Sequence, residues 1–201
     1  MVQATRDPSR PQAGFTFDDP CPRLVAYVSE VRGILAGRKP LAARMDDVIA
    51  RAAHLAGQGT HIPGDCRLVG GTDAYGRNLV YRDVDYGFVM IAMVWPAGAE
   101  SPAHDHGTWC CVKVLEGAVR IAEFERGPDG AVLGAAQVCT AAAGDTCLVR
   151  PPRDIHRVWN PFDAGAVTLH TYGREIKSCR VFDEAGGSRQ HAEMGYANRS
   201  A

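Results

Sequence analysis

Gly98-Ala-Glu-Ser-Pro-Ala-His104-Asp-His106-Gly-Thr-Trp-Cys110-Cys-Val-Lys-Val-Leu-Glu-Gly117 sets two histidines one residue apart ahead of an apolar run that ends at a glycine. Side chains alternate across an extended strand, so His104 and His106 share a face and can aim two imidazoles at one point. Short β-branched and aromatic runs broken by turn signals fill the chain on both sides. They predict strands over 66–69, 77–82, 86–95, 110–115, 118–125, 131–139, 146–150, 156–159, 166–172 and 178–182. Turns are expected at Asp73-Ala-Tyr-Gly76, Gly127-Pro-Asp-Gly130 and Ala143-Gly-Asp145. So many short strands without intervening helices imply an all-β core, an antiparallel barrel or double-sheet jelly roll.

Toward the N-terminus the apolar period changes. Leu24, Val28, Val31 and Leu35, then Leu41, Met45, Val48, Ala52 and Leu55, recur at helical spacing, with Gly37 and Gly57 placed to end two helices packed outside the β core. Residues 1–20 are polar and rich in Pro and Asp and read as a flexible leader; 21–201 read as a single domain, which a 201-residue chain with 46% hydrophobic residues can support. The tail from Asp183 to Ala201 is polar and Gly-rich.

Formal net charge is −1, so no basic field exists to attract nucleic acid or an anionic membrane surface. The longest apolar run, Phe88 to Trp95, suits a buried strand and is far too short to span a bilayer, and no secretory signal is visible; a cytoplasmic protein is expected. Seven cysteines, an odd number without CxxC spacing, argue against a disulfide framework and a structural zinc site. Oligomeric state is not written in the sequence, a monomer being the default expectation.

A second segment, Gly144-Asp-Thr-Cys-Leu-Val-Arg-Pro151-Pro-Arg-Asp-Ile-His156-Arg-Val-Trp-Asn160, brings a third histidine from another strand. His104, His106 and His156 are therefore the candidate metal ligands. The paired segments resemble the two cupin motifs, G-x5-HxH-x3-E-x6-G and G-x5-PxG-x2-H-x3-N, with departures. Cys110 stands where cupins usually place a glutamate ligand, one extra residue precedes Pro151, and Arg153 replaces a glycine. Three neutral imidazoles leave coordination positions open and the full charge of a divalent metal available to an anionic ligand. The ligand set alone would accept zinc, copper or nickel as well as iron.

From Tyr75 to Met194 the chain resembles the cysteine dioxygenase family. The resemblance is carried by Tyr75-Gly-Arg77-Asn-Leu-Val, by Trp95 nine residues before His104, and by Cys110. It continues through Val167-Thr168-Leu169-His170-Thr171-Tyr172 and Cys179-Arg-Val-Phe182-Asp183. It implies an Fe(II) cofactor, a small thiol and dioxygen as the partners, and oxidation of L-cysteine to cysteine sulfinic acid. In that reading Arg77 holds the substrate carboxylate, which its planar fork suits, and Tyr75 lines the same pocket. Thr168, His170 and Tyr172 alternate along one strand and are expected to form a hydrogen-bonded row ending at the Tyr172 hydroxyl. The resemblance also implies a thioether between Cys110 and Tyr172.

Alternatives stay open at this stage. Bacterial thiol dioxygenases that resemble this chain act on cysteine or 3-mercaptopropionate; Arg77 and Cys110 favour cysteine, whereas the short His106-Gly-Thr-Trp109 spacing looks like the bacterial branch. A cupin isomerase or decarboxylase, and a ligand-binding cupin without catalysis, are the competing classes. A bland reading makes His170 a buried histidine with a backbone partner, Tyr172 a core aromatic, Cys110 a packing residue and Arg77 half of an exposed ion pair. His54, His61 and His191 read as surface residues, and Cys111, Cys139, Cys147 and Cys179 as packing residues.

Overall fold

The run Phe88–Trp95 is continuously apolar because both faces of its strand are covered. In the computed structural model, which describes residues 14–55, 60–70, 75–127, 132–182 and 189–199, Ile91, Met93 and Trp95 point toward a second sheet, while Met90 and Ala92 point toward two helices. The described residues form two six-stranded sheets. The first has the order β1 (Gly14–Phe15), β2 (Gly76–Arg82), β3 (Val89–Trp95), β10 (Ala166–Tyr172), β5 (Cys110–Glu116), β8 (Thr146–Val149). The second runs β12 (Arg189–Glu193), β11 (Ser178–Phe182), β4 (Ala103–Asp105), β9 (Ile155–Trp159), β6 (Ala118–Arg126), β7 (Val132–Ala142). Neighbouring strands are antiparallel throughout.

The inner faces of the two sheets share one core. Leu79, Ile91, Val112 and Val114 of the first pack with Val119, Ile121 and Val158 of the second. On the outside of the first sheet lie α1 (Pro22–Ala36) and α2 (Leu41–Ala53), burying Leu24, Val28, Val31, Met45, Val48 and Ala52 along their apolar stripes. Proline at the first turn of α1 costs no hydrogen bond, since that N–H has no partner in a helix. Tyr27 of α1 bonds Thr171 of β10 at 3.0 Å. Buried Lys113 of β5 reaches the helix layer, giving its ammonium to the carbonyls of Gly144 and Ala53 and to the Thr146 hydroxyl. Among the described residues no helix is long and apolar enough to cross a membrane. The β-rich core with two N-terminal helices outside it is thus as expected.

Some expectations change. Residues 66–69 are not a strand: a 3-10 turn, Gly64–Cys66, leads into an extended segment held by the Asn78 amide, which donates to Leu68 O at 2.8 Å and accepts from Leu68 N at 3.2 Å. A side chain substitutes there for the ladder, and Gly76 is required because a Cβ would stand 1.8 Å from Leu68 O. The part of the leader that is described is packed: Gly14 and Phe15 pair with β2, and Phe15 meets the Tyr81 ring at 4.9 Å. Strands β1 and β12 were not anticipated, and the strand expected to carry both His104 and His106 ends at Asp105. Helix α2 closes at Ala53, and Gly57, residues 1–13, Asp73-Ala74, Pro128 to Gly130 and Asp183 lie outside the described residues.

Candidate metal centre

Strand β4 and the turn after it carry His104 and His106, and neighbouring β9 places His156 directly opposite His104 in register. The ring centroids of His104 and His156 are 4.4 Å apart, those of His106 and His156 5.1 Å. One nitrogen from each of the three imidazoles lies within 4.8 Å of the others. Gly107, with φ of 59°, turns the chain immediately after His106.

Each ring is locked by a carbonyl two residues away. Nδ1 of His104 faces Pro102 O at 2.9 Å, Nδ1 of His106 faces Thr108 O at 3.1 Å, and Nδ1 of His156 faces Asp154 O at 2.9 Å. A carbonyl can only accept, so Nδ1 carries the proton in all three and Nε2 keeps its lone pair. Nε2 of His106 is buried with no hydrogen-bond partner. An orphaned acceptor aimed at two others is what a divalent transition metal satisfies, and these residues fit one. Burial, reinforced by the neighbouring imidazoles, pushes all three down to about 3, so they are neutral, as ligands must be. Asp105, between the ligands in sequence, points the other way to Arg126 at 2.7 Å and to Arg180. Burial alone would raise its carboxyl; the two guanidiniums outweigh that and hold it below the usual range.

The first sheet supplies the facing wall. Trp95 Nε1 bonds Thr168 Oγ1 at 2.9 Å, Thr168 Oγ1 lies 2.9 Å from His170 Nε2, and His170 Nδ1 lies 3.1 Å from the Tyr172 hydroxyl. An indole nitrogen only donates, so Thr168 accepts from Trp95. The Thr168 and Tyr172 hydroxyls flank the two ring nitrogens of His170, and Tyr172 also meets Cys110, so the row runs unbroken from the indole to the phenol. Burial keeps His170 neutral and raises both the Cys110 thiol and the Tyr172 phenol far above their ordinary values. Tyr172 meets His106 edge-on, centroids 5.0 Å apart. Cys110 is the cross-strand partner of Tyr172, and its Sγ lies 3.6 Å from His170 Nδ1.

Arg77 of β2 is buried, with Nη1 bonded to Gly195 O at 2.8 Å and its guanidinium 5.2 Å from the Tyr196 ring centroid. No carboxylate among the described residues pairs with it. Tyr75 stacks on Trp95 at 4.8 Å. Two of the bland readings do not hold: His170 bonds side chains rather than backbone, and Arg77 is buried and pairs with no carboxylate among the described residues, whereas Cys110 and Tyr172 do lie in the buried core. His191 is exposed. Sequence reasoning missed Tyr196, whose ring covers Arg77, and Glu175, which takes the Tyr196 hydroxyl; the fold alone brings them together.

Residues 71–185, more than half of the chain, match the family described as Cysteine dioxygenase type I. The protein "Cysteine dioxygenase type 1" of Danio rerio is 29% identical over 126 residues, which are 60% of this chain and 61% of that protein. The chain thus matches about three fifths of the length of this curated relative. Among solved structures, a cupin 2 conserved barrel domain protein from Rhodopseudomonas palustris is 14% identical with a TM-score of 0.45, covering 55% of this chain and 68% of that one. A double-stranded β-helix domain protein from Klebsiella pneumoniae gives 14% and 0.45, covering 68% and 92%. Three converging imidazoles agree with the sequence match, which spans more than half of the chain: the chain belongs to the cysteine dioxygenase type I family.

Proposed function

We propose that the protein is a non-haem iron thiol dioxygenase that converts L-cysteine and dioxygen to cysteine sulfinic acid, its two sheets closing as a jelly-roll barrel around the site and residues 21–201 acting as one domain. The observation that carries this reading is a neutral three-histidine centre together with a buried arginine, on the other sheet, that pairs with no carboxylate among the described residues. A small molecule that satisfies both has a soft anionic donor at one end and a carboxylate at the other, as a cysteine thiolate does. When bound, ferrous iron supplies the redox chemistry that joins both atoms of dioxygen to sulfur, with no external reductant.

The chain's own residues hold and orient. His104, His106 and His156 would hold the ion and leave coordination positions open to ligands. Arg77 takes the substrate carboxylate, and Tyr75, stacked on Trp95, closes the pocket beside it. Burial keeps the Tyr172 phenol protonated, and the row from Trp95 through Thr168 and His170 orients it toward the bound substrate. Cys110 and Tyr172, cross-strand partners, become joined by a thioether in this reading. The Sγ–ring carbon bond would form with loss of the thiol hydrogen and one ring hydrogen, the two electrons passing to dioxygen.

The test is anaerobic loading with Fe(II), then oxygen uptake with cysteine, 3-mercaptopropionate, cysteamine and mercaptosuccinate. Stoichiometric uptake with L-cysteine and a product heavier by two oxygen atoms is expected. Uptake with none of the four overturns the reading, and a preference for 3-mercaptopropionate overturns the substrate.

A further inference from the structure

The polar tail ends in a strap that closes over Arg77. Ala197 N donates to Arg77 O at 2.7 Å, and Asn198 brackets Leu79, accepting from its N–H and donating to its carbonyl, both at 2.9 Å. The strap thereby occupies the edge of β2 that short β1 leaves open. Within it, Gly195 O accepts from the Arg77 guanidinium and the Tyr196 ring covers it. The Tyr196 hydroxyl is itself anchored, donating to Glu175 Oε1 at 3.1 Å, and the same carboxylate oxygen takes Arg82. Burial, with Glu175 beside it, pushes the phenol up to about 12, so it remains a donor.

An unpaired buried guanidinium on a flexible stem has many rotamers, and each must be frozen when an anion binds. A carbonyl on one nitrogen and an aromatic face over the plane leave it one orientation before any ligand arrives. Glu175 pairs with Arg82 rather than Arg77, so the negative charge that fixes the ring does not occupy the anion's place.

We infer that Tyr196, anchored on Glu175, is a specificity-determining positioning residue that presets Arg77 for the carboxylate of a small thiol. The inference rests on the proposed dioxygenase reading and adds to it a residue more than a hundred positions from Arg77. Its effect is read in carboxylate recognition.

The experiment uses the iron-loaded full chain and anaerobic calorimetry, so that binding is measured without turnover. The quantity followed is the ratio of the cysteamine to the L-cysteine dissociation constants, which isolates the contribution of the carboxylate. Tyr196→Leu is expected to lower that ratio about tenfold, the scale of losing a buried cation–π contact together with its preorganisation. Tyr196→Phe keeps the ring and should restore most of it, and Glu175→Gln should lower it by about threefold through a looser ring. Iron content and far-UV circular dichroism accompany each variant, and Glu175→Gln keeps the inference open to refutation if Tyr196→Leu fails to fold. Unchanged ratios in the Leu and Gln variants overturn the latch while leaving the dioxygenase reading intact. A wild-type protein that binds neither thiol overturns both.

Discussion

Replacing Arg77 by Met separates a residue kept for a ligand from one kept for the fold. Methionine has similar length, fills the space beneath Tyr196 and carries no charge. What the unliganded protein loses is one charged hydrogen bond to Gly195 O, about 1.5–3 kcal/mol, and a cation–π contact of about 1–2 kcal/mol. What it regains is the desolvation of a guanidinium that is only 7% exposed and has no carboxylate partner, several kcal/mol in the opposite direction. The terms cancel to within about 2 kcal/mol, so Tm of the ligand-free protein should move by less than roughly 8 °C for a chain of this size. Affinity for L-cysteine behaves differently. Losing one partner of a buried, hydrogen-bonded charge pair costs about 2–5 kcal/mol, a weakening of roughly 30-fold or more. Thermal unfolding without thiol, beside calorimetric titration of the iron-loaded protein, measures both. A fall in Tm of about 10 °C or more with cysteine affinity unchanged would refute the reasoning and make Arg77 a structural cation.

Three further outcomes follow from the same geometry. His156→Ala removes one of three converging ligands, so the purified protein should retain iron far below one ion per chain by elemental analysis, and near-stoichiometric iron would remove His156 from the centre. Thr168→Val cuts the row between Trp95 and His170 while keeping the side-chain shape; turnover should drop by about tenfold with iron content unchanged, and full turnover would show that the row is only packing. Asp83→Asn disturbs a buried carboxylate that accepts from Arg32, Tyr81 and the Tyr86 N–H. Burial alone would raise that carboxyl, and these donors outweigh it to hold it below its ordinary value, so its stabilisation is present above the unfolded-state value and lost as pH falls through the folded-state one. The variant should unfold about 2 kcal/mol more easily at pH 7, and its deficit against wild type should shrink below roughly pH 4; a deficit constant with pH would contradict the assignment.

Much of the site was legible because its chemistry is local in sequence. His104 on β4 and His106 in the turn after it are one residue apart, and Thr168, His170 and Tyr172 alternate on β10, so the family resemblance could point to both clusters within short stretches of sequence. The helix stripes were readable because they too are local in sequence. What could not be read was set by contacts between distant residues. Residues 66–69 have strand composition, yet Asn78 takes both backbone hydrogen bonds of Leu68 with its side chain. Strands β1 and β4, of two and three residues, are too short to show a period and exist because neighbouring strands offer them free edges. Tyr196 looks like a lone aromatic in a polar tail until the fold brings Arg77 and Glu175 to it.

The division of labour between the sheets explains why both faces of the first one are buried. Every metal-ligating histidine belongs to the second sheet or its turn, whereas Arg77, Trp95, Cys110 and the Thr168–His170–Tyr172 row all belong to the first. The distance between the two half-sites is therefore not fixed by any one strand; it depends on how the sheets pack. Ile91, Val112 and Val114 hold that spacing from inside, against Ile121 and Val158. On the outside, α1 and α2 press on the alternate residues of the same strands, and Tyr27 fastens Thr171, which sits between His170 and Tyr172. A strand clamped on both faces cannot rotate its inward residues without breaking close-packed contacts on the other side. The two N-terminal helices, remote from the metal centre, thus contribute to its geometry by denying β10 the freedom to turn.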